Sequence, residues 1–339
     1  MGIKVGINGF GRISTSAIRA IFTQEEGFDL CGINIRKAEY DYLSYLLRYD
    51  TVFGRFEKSV ETWEEGLVID GKKVPVFSYD DPALIPWSQC GAEYIVEGTG
   101  AFLTGETAGG HLKGGAKKVV ISAPAKDKEI PTFVVGVNQE KYSKDMHIVS
   151  NASCTTNCLA PLARVLQDNY GIEQGLMTTV HASTSKQKTV DCRTPKDWRT
   201  GRSVYGNIIP STTGAAKAVG LVIPELKGKL TGISMRIPSA DGSIVDLNVS
   251  LGKDTSYADI CAKMEEASET YLKGILKYCK DPIVSADVLM DSHTCVFDSL
   301  MGVELNSRFF KLLAWYDNEW GYTIQLLRLI KHMAAVDGK

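Results

Sequence analysis

The sequence has no CxxC pair and no apolar run approaching the ~18 residues that a membrane span needs. It also has almost no net charge, no internal repeat and no low-complexity tract. Each absence removes a class of function. The eight cysteines, at 31, 90, 154, 158, 192, 261, 279 and 295, are scattered through 339 residues. A zinc knuckle, a thioredoxin-type couple and a disulfide-stapled small fold are therefore not indicated, and no metal is expected. A formal charge of -2 gives no electrostatic case for nucleic acid or an anionic membrane. No signal or transit segment precedes the first strand pattern, so a cytoplasmic location is expected, with a mature organelle form sharing the same features.

What is present is a globular mixture, 44% hydrophobic and 23% charged, long enough for two domains with separate cores. Residues 3–8 read as a buried strand, followed at once by Gly9-Phe10-Gly11-Arg12-Ile13-Ser14. An apolar-periodic helix through Ile18, Ile21 and Phe22 stops near Gly27, and Phe28–Asn34 reads as a second strand. This is a βαβ unit, and apolar runs at 94–96, 118–122 and 133–137 extend a mostly parallel sheet.

After residue 150 the pattern changes. Ser153 can cap a helix that runs to about Asn169 and ends at Gly171, with Pro161 expected to kink it. Strand candidates follow at 176–181, 230–237, 243–251 and 308–316, and a last helix begins near Asn318. The stretch 182–206 is polar and long for a loop, which points to function or an interface. The fold class is α/β: a Rossmann-type doubly wound parallel sheet plus an α+β catalytic domain with a mainly antiparallel sheet. The expected division is a dinucleotide-binding domain over 1–152, joined by the C-terminal helix 318–339, and a catalytic domain over 153–317.

Free N–H groups and the dipole make a helix start an anion site, and Gly9 and Gly11 give the tight turn and close approach that a dinucleotide phosphate needs. Ser14 replaces the third glycine of the fingerprint, leaving helix–strand packing slightly looser. Asn34 ends the second strand, and Ile35, Arg36 and Lys37 follow where an NAD site of this type carries an acidic residue. The two cations could meet a 2′-phosphate or be solvated surface charges. The reading leans to NADP, with NAD also accepted.

Cys154 sits in the first turn of the capped helix, where the dipole and a nearby imidazole lower a thiol pKa. Cys158, one turn on, lacks that field and reads as packing. His181 ends a strand and opens the long loop; His111, His147, His293 and His332 lie in less constrained settings and read as structural or exposed.

The stretches Asn8–Ile13, Ser150–Asn157, Asn207–Lys217 and Trp315–Tyr322 together make the whole chain resemble phosphorylating glyceraldehyde-3-phosphate dehydrogenase. The resemblance implies that Cys154 attacks the aldehyde of glyceraldehyde 3-phosphate and that His181 is base and oxyanion donor. Hydride passes to NAD or NADP, and inorganic phosphate cleaves the thioester to give 1,3-bisphosphoglycerate. Thr184 and Arg236 would hold the substrate phosphate; Ser153, Thr155, Thr213 and Gly214 would hold the attacking one. Asn8, Gly9, Phe10, Gly11, Arg12, Ile13, Asn34, Ile35, Arg36, Thr99, Gly100, Phe102 and Ser122 would line the cofactor, with Asn318 on the nicotinamide carboxamide and Tyr322 near its ring. A homotetramer is implied too, with the long loop reaching a neighbouring subunit's adenosine end. Cys192-Arg193 in that loop favours a 2′-phosphate, whereas Asp80 would oppose one if it lay close. The rival readings are an erythrose-4-phosphate dehydrogenase of the same fold and a non-catalytic binding protein derived from it.

Overall fold

Val5 and Ile7 are fully buried in the central strand β1 (Ile3–Asn8), because a parallel strand is covered on both faces. The computed structural model describes residues 2–195 and 197–339, so Met1 and position 196 of the long loop lie outside the described residues. β1 pairs in parallel with β2 (Phe28–Asn34) on one side and with β6 (Tyr94–Glu97) on the other. β7 (Lys118–Ile121) and β8 (Ile148–Ser150) continue the parallel run. At the other edge β2 pairs with β5 (Lys72–Phe77), to which β4 (Gly66–Ile69) and β3 (Val60–Trp63) add antiparallel. The order is β3-β4-β5-β2-β1-β6-β7-β8. These short edge strands escape a reading of periodicity because each spans only four to six residues.

The expected strand over 133–137 does not form. Residues 135–138 make a turn, Gly136 takes φ +90°, and the Asn138 side chain accepts from Val134 N at 2.8 Å. An asparagine that supplies the acceptor locally removes the need for a sheet partner.

The second unit is built on an eight-stranded sheet whose strands are β9 (Ile172–His181), β10 (Ile209–Thr212), β11 (Leu230–Arg236), β12 (Ser243–Leu251), β13 (Leu276–Cys279), β14 (Cys295–Asp298), β15 (Val303–Asn306) and β16 (Phe309–Tyr316). The order is β10-β11-β9-β12-β16-β14-β13, with β15 on β16, and most pairs are antiparallel. β12 alternates strictly between buried and half-buried positions, as its sequence predicts. β11 and β9 are the exception that matters, because they run parallel and place Arg236 opposite His181.

The helix Cys154–Tyr170 opens at the Ser153 cap and stops at Gly171, which takes φ +70°. The compact units are the chain up to Phe133 with Gln139–Ala152 and Thr323–Lys339, and Val134–Asn138 with Ser153–Tyr322. Relative to the expected division, Val134–Asn138 and Asn318–Tyr322 move to the second unit. The reasons are local: Gly136 sits against Leu272 and Ile275, and Asp317 accepts from Met290 N at 2.7 Å. The C-terminal helix itself begins at Trp320, two residues after the expected start, because Asp317 caps it by accepting from Glu319 N and Trp320 N.

Candidate active site

Ala152 takes the left-handed conformation (φ +56°) and turns the chain sharply just before the cap. Ser153 Oγ then accepts from Thr156 N at 3.1 Å, which fixes the first turn and holds Cys154 at its start. Cys154 Sγ lies 3.4 Å from His181 Nε2 and remains partly exposed. The helix start and the end of β9 thus bring the two catalytic candidates together.

His181 Nδ1 has two suitors: Arg236 Nη1 at 2.7 Å and the Ala182 carbonyl at 2.8 Å. An arginine only donates, so the first contact requires a lone pair on Nδ1 and puts the ring proton on Nε2, facing sulfur. In the other arrangement Nδ1–H donates to Ala182 O and Nε2 is free to act as base. Arg236, which also donates to Ala182 O at 3.2 Å, must then turn away from the ring. The geometry fits either proton arrangement, according to whether the guanidinium or the Ala182 carbonyl pairs with Nδ1.

The thiol differs from expectation. Burial pushes Cys154 up to about 11, with the Arg236 charge and the Thr155 N–H pulling the other way. Burial first, then Arg236, push His181 down to about 3. Burial is the largest cause of both shifts, and both favour the uncharged forms, a thiol and an imidazole. Deprotonation then belongs to the attack on substrate. Cys158 is fully buried, with Sγ 3.7 Å from Ala314 O, and packs as expected.

The Thr155 hydroxyl lies 2.8 Å from Tyr316 OH, which also meets Thr179 Oγ1 at 2.9 Å, while the Thr155 backbone N–H and hydroxyl both act on the Cys154 thiol. Thr213 Oγ1 accepts from Ala215 N at 3.1 Å and starts the helix Ala215–Val222, whose N-cap is Gly214. Thr156 Oγ1 donates to Ala215 O at 3.3 Å, so the starts of two helices adjoin, and a helix start favours an anion. Thr184 is held by Gln187, its N and Oγ1 each 3.0 Å from Oε1.

In the first unit the helix Arg12–Thr23 has Gly11 as N-cap, no side-chain cap and no acid in its first turn. Gly9 takes φ +104°, and a side chain there would press on Gly98 and Thr99. An open helix start behind a glycine turn fits the pyrophosphate of a dinucleotide. Ser14 does not loosen the packing: it is fully buried, and its hydroxyl fills the space that a side chain at Gly98 would take. Arg12 pairs with Asp50 and lies 5.2 Å over the Phe53 ring.

Asn8 and Asn34 are committed to the frame rather than left free. Asn8 Nδ2 donates to Glu97 Oε2 at 2.6 Å, and Asn34 Nδ2 donates to Asn8 Oδ1 at 2.8 Å and to Tyr79 O at 3.1 Å. Thr99 N and Oγ1 donate to Glu97 Oε1, and Ser122 Oγ donates to Glu97 O at 2.9 Å. Phe102 packs edge-on against the His111 ring, and Gly100 takes φ +68°. Ile35 N donates to Phe77 O at 3.0 Å, while Arg36 is exposed with its Nε 3.6 Å from Asp80 Oδ1.

Sequence reasoning missed Glu97, Tyr316 and Ser243, and named His111 only as structural or exposed. Ser243 accepts from Ala182 N at 3.0 Å and donates to Asn318 Oδ1, linking the base to the expected carboxamide holder. Tyr322 is buried. The one visible signal was the polar end of β12, a serine opening an apolar strand.

Comparison with known proteins gives a consistent result. Residues 3–105 match the glyceraldehyde 3-phosphate dehydrogenase NAD binding domain, and residues 153–318 match the glyceraldehyde 3-phosphate dehydrogenase C-terminal domain. The chain is 56% identical over 339 residues to glyceraldehyde-3-phosphate dehydrogenase of Aspergillus niger, covering 100% of both. It is 53% identical to the cytosolic glyceraldehyde-3-phosphate dehydrogenase of Gracilaria gracilis, covering 98% of each chain. It is 54% identical to glyceraldehyde-3-phosphate dehydrogenase 2 of Schizosaccharomyces pombe, covering 98% of this chain and 99% of that one. The chain belongs to the glyceraldehyde-3-phosphate dehydrogenase family.

Proposed function

We propose that the chain oxidises glyceraldehyde 3-phosphate and captures the acyl group with inorganic phosphate, releasing 1,3-bisphosphoglycerate. The observation that carries this reading is Cys154 Sγ at 3.4 Å from His181 Nε2, at the start of a helix adjoining a second helix start. The substrate phosphate is drawn to Arg236 and Thr184, which pulls the guanidinium off His181 Nδ1. The ring then donates Nδ1–H to Ala182 O, and Nε2 takes the thiol proton as sulfur attacks the aldehyde carbon. Protonated His181 next donates Nε2–H to the thiohemiacetal oxygen. A bound nicotinamide dinucleotide would supply the hydride acceptor; His181 takes back the hydroxyl proton as hydride leaves carbon, and a thioester remains on Cys154. Ser153, the Thr155 N–H, Thr213 and Gly214 hold the attacking phosphate at the paired helix starts. Among the described residues no cluster of three or more His, Cys, Asp or Glu could hold a metal ion.

We infer that both dinucleotides are accepted and that NADP is favoured. Ile35 leaves no carboxylate against a 2′-phosphate, and Arg36 and Arg193 supply cations; Asp80, beside Arg36, partly offsets the first. Asn318 and Tyr322 would hold the nicotinamide end. Self-association to a homotetramer is supported by exposed Val190, Trp198 and Tyr205 in the long loop and by Leu176 and Ile233 on the sheet. No described helix is long and apolar enough to cross a membrane; the proposed location is the cytoplasm.

The test is initial rates with glyceraldehyde 3-phosphate and inorganic phosphate, with NAD and NADP in parallel. Phosphate-dependent reduction of either supports the reaction; faster reduction with erythrose 4-phosphate would overturn the substrate. Ile35→Asp should raise KM for NADP about tenfold more than for NAD, by setting a carboxylate against the 2′-phosphate. Equal effects would remove residue 35 from the ribose.

A further inference from the structure

Two carboxyl groups of the second unit lie side by side with too few protons between them. Asp317 accepts three backbone N–H groups, from Glu319 and Trp320 on Oδ1 and from Met290 on Oδ2. Asp241 is only 4% exposed and accepts one, Gly242 N at 2.8 Å on Oδ1; its Oδ2 is buried with no partner. The two side chains are within hydrogen-bonding reach of each other, and buried Glu319 adds a third carboxyl. Ionised carboxylates only accept, so a contact between two of them in a dry site requires a proton on one. The three N–H bonds stabilise the anion on Asp317, which leaves the proton to the bare Oδ2 of Asp241.

The pair brackets one link of the site. Ser243, two residues after Asp241, donates to Asn318 Oδ1, and Asn318 directly follows Asp317. Ser243 also accepts from Ala182 N, beside the base. We propose that Asp241 is a positioning residue: as a neutral carboxylic acid it donates to Asp317 and clamps the turn before β12 to the turn before the last helix, so that Asn318 presents its amide in one orientation. This rests on the reading of Asn318 as the nicotinamide carboxamide holder. Loss of the proton sets two anions together, opens the clamp and lets the amide turn.

The groups that face Asp241 are Asp317 and Glu319, from the turn before the last helix, and Cys154, at the start of its own helix. Burial first, then the charges of Asp317 and Glu319, push the Asp241 carboxyl well above the usual carboxylate range. A carboxyl raised in the fold binds its proton more tightly there than in the unfolded chain, so stability falls as pH climbs from the ordinary carboxylate range through the raised value. Asparagine at 241 keeps a donor and has nothing to titrate.

The test uses the full chain without aldehyde, with NAD and NADP titrated by protein fluorescence from about pH 6 to about pH 10 and thermal melts at each pH. The native chain should lose affinity about fivefold or more across the alkaline range, Asp241→Asn should stay flat, and Asp241→Ala should bind about tenfold more weakly throughout. The Asp241→Asn melting temperature should fall less with pH than the native one. An Asn variant whose melting profile parallels the native chain would overturn the shared proton, and native affinity in Asp241→Ala would overturn the clamp. Asn318→Ala separates the premise: unchanged dinucleotide affinity there would refute the reading of Asn318, while the melting comparison still judges the proton on Asp241.

Discussion

The two units each bury a histidine, and the two are handled in opposite ways. His111, in the first unit, has one self-consistent arrangement: Trp87 Nε1–H donates to Nδ1 at 3.1 Å, so Nε2–H donates to Glu97 at 2.9 Å. Glu97 also accepts from Asn8 and Thr99, so a fully buried carboxylate is satisfied by donors on several elements. His181, in the second unit, has two competing partners on Nδ1 and a thiol on Nε2. The first ring is locked as part of a frame that ties β1, β2 and β6 together beneath the dinucleotide turn. The second can change its proton arrangement. A histidine does chemistry where its hydrogen bonds leave a choice, and supports a fold where they leave none.

Removing each ring tests the contrast. His181→Asn should slow the chemical step ~10²–10⁴-fold, the usual size of an acid–base contribution, with little loss of stability. Single-turnover kinetics would show it, and a change under tenfold would take His181 out of the role. His111→Ala should do the reverse, costing ~2–4 kcal/mol in urea unfolding by leaving the Glu97 charge short of a donor, with kcat nearly unchanged. If His111→Ala were stable but inactive, the division between frame and chemistry would fail. Trp87→Phe removes the donor to Nδ1 and part of a fully buried ring, and should cost about 1–3 kcal/mol in the same unfolding measurement with kcat unchanged. A loss of activity without a loss of stability would contradict the place of Trp87 in the frame.

Much of this was legible in the chain. The Gly9–Gly11 turn, the Ser153 cap, the Gly171 stop and the alternation of β12 are local signals, and local hydrogen bonding decides them. His111 reads in the sequence as structural or exposed, but its place in the frame comes from Glu97 and Trp87, 14 and 24 residues away, and no spacing rule joins them. The Thr155 hydroxyl also meets Tyr316, 161 residues on, a partner that no spacing rule gives. Position at a helix start is written in the sequence, but the burial that raises the Cys154 thiol is not. Asp241 and Asp317 read as two ordinary turn residues until the fold sets them together.

The central claim is a covalent acyl group on one sulfur, formed with His181 as base. Mixing the chain with glyceraldehyde 3-phosphate and NAD or NADP in phosphate-free buffer should give one burst of reduced dinucleotide per site. Mass spectrometry should place a phosphoglyceryl group on the peptide bearing Cys154, and added phosphate should discharge it. Continuous turnover with no adduct, or an adduct on any other cysteine, would contradict the account.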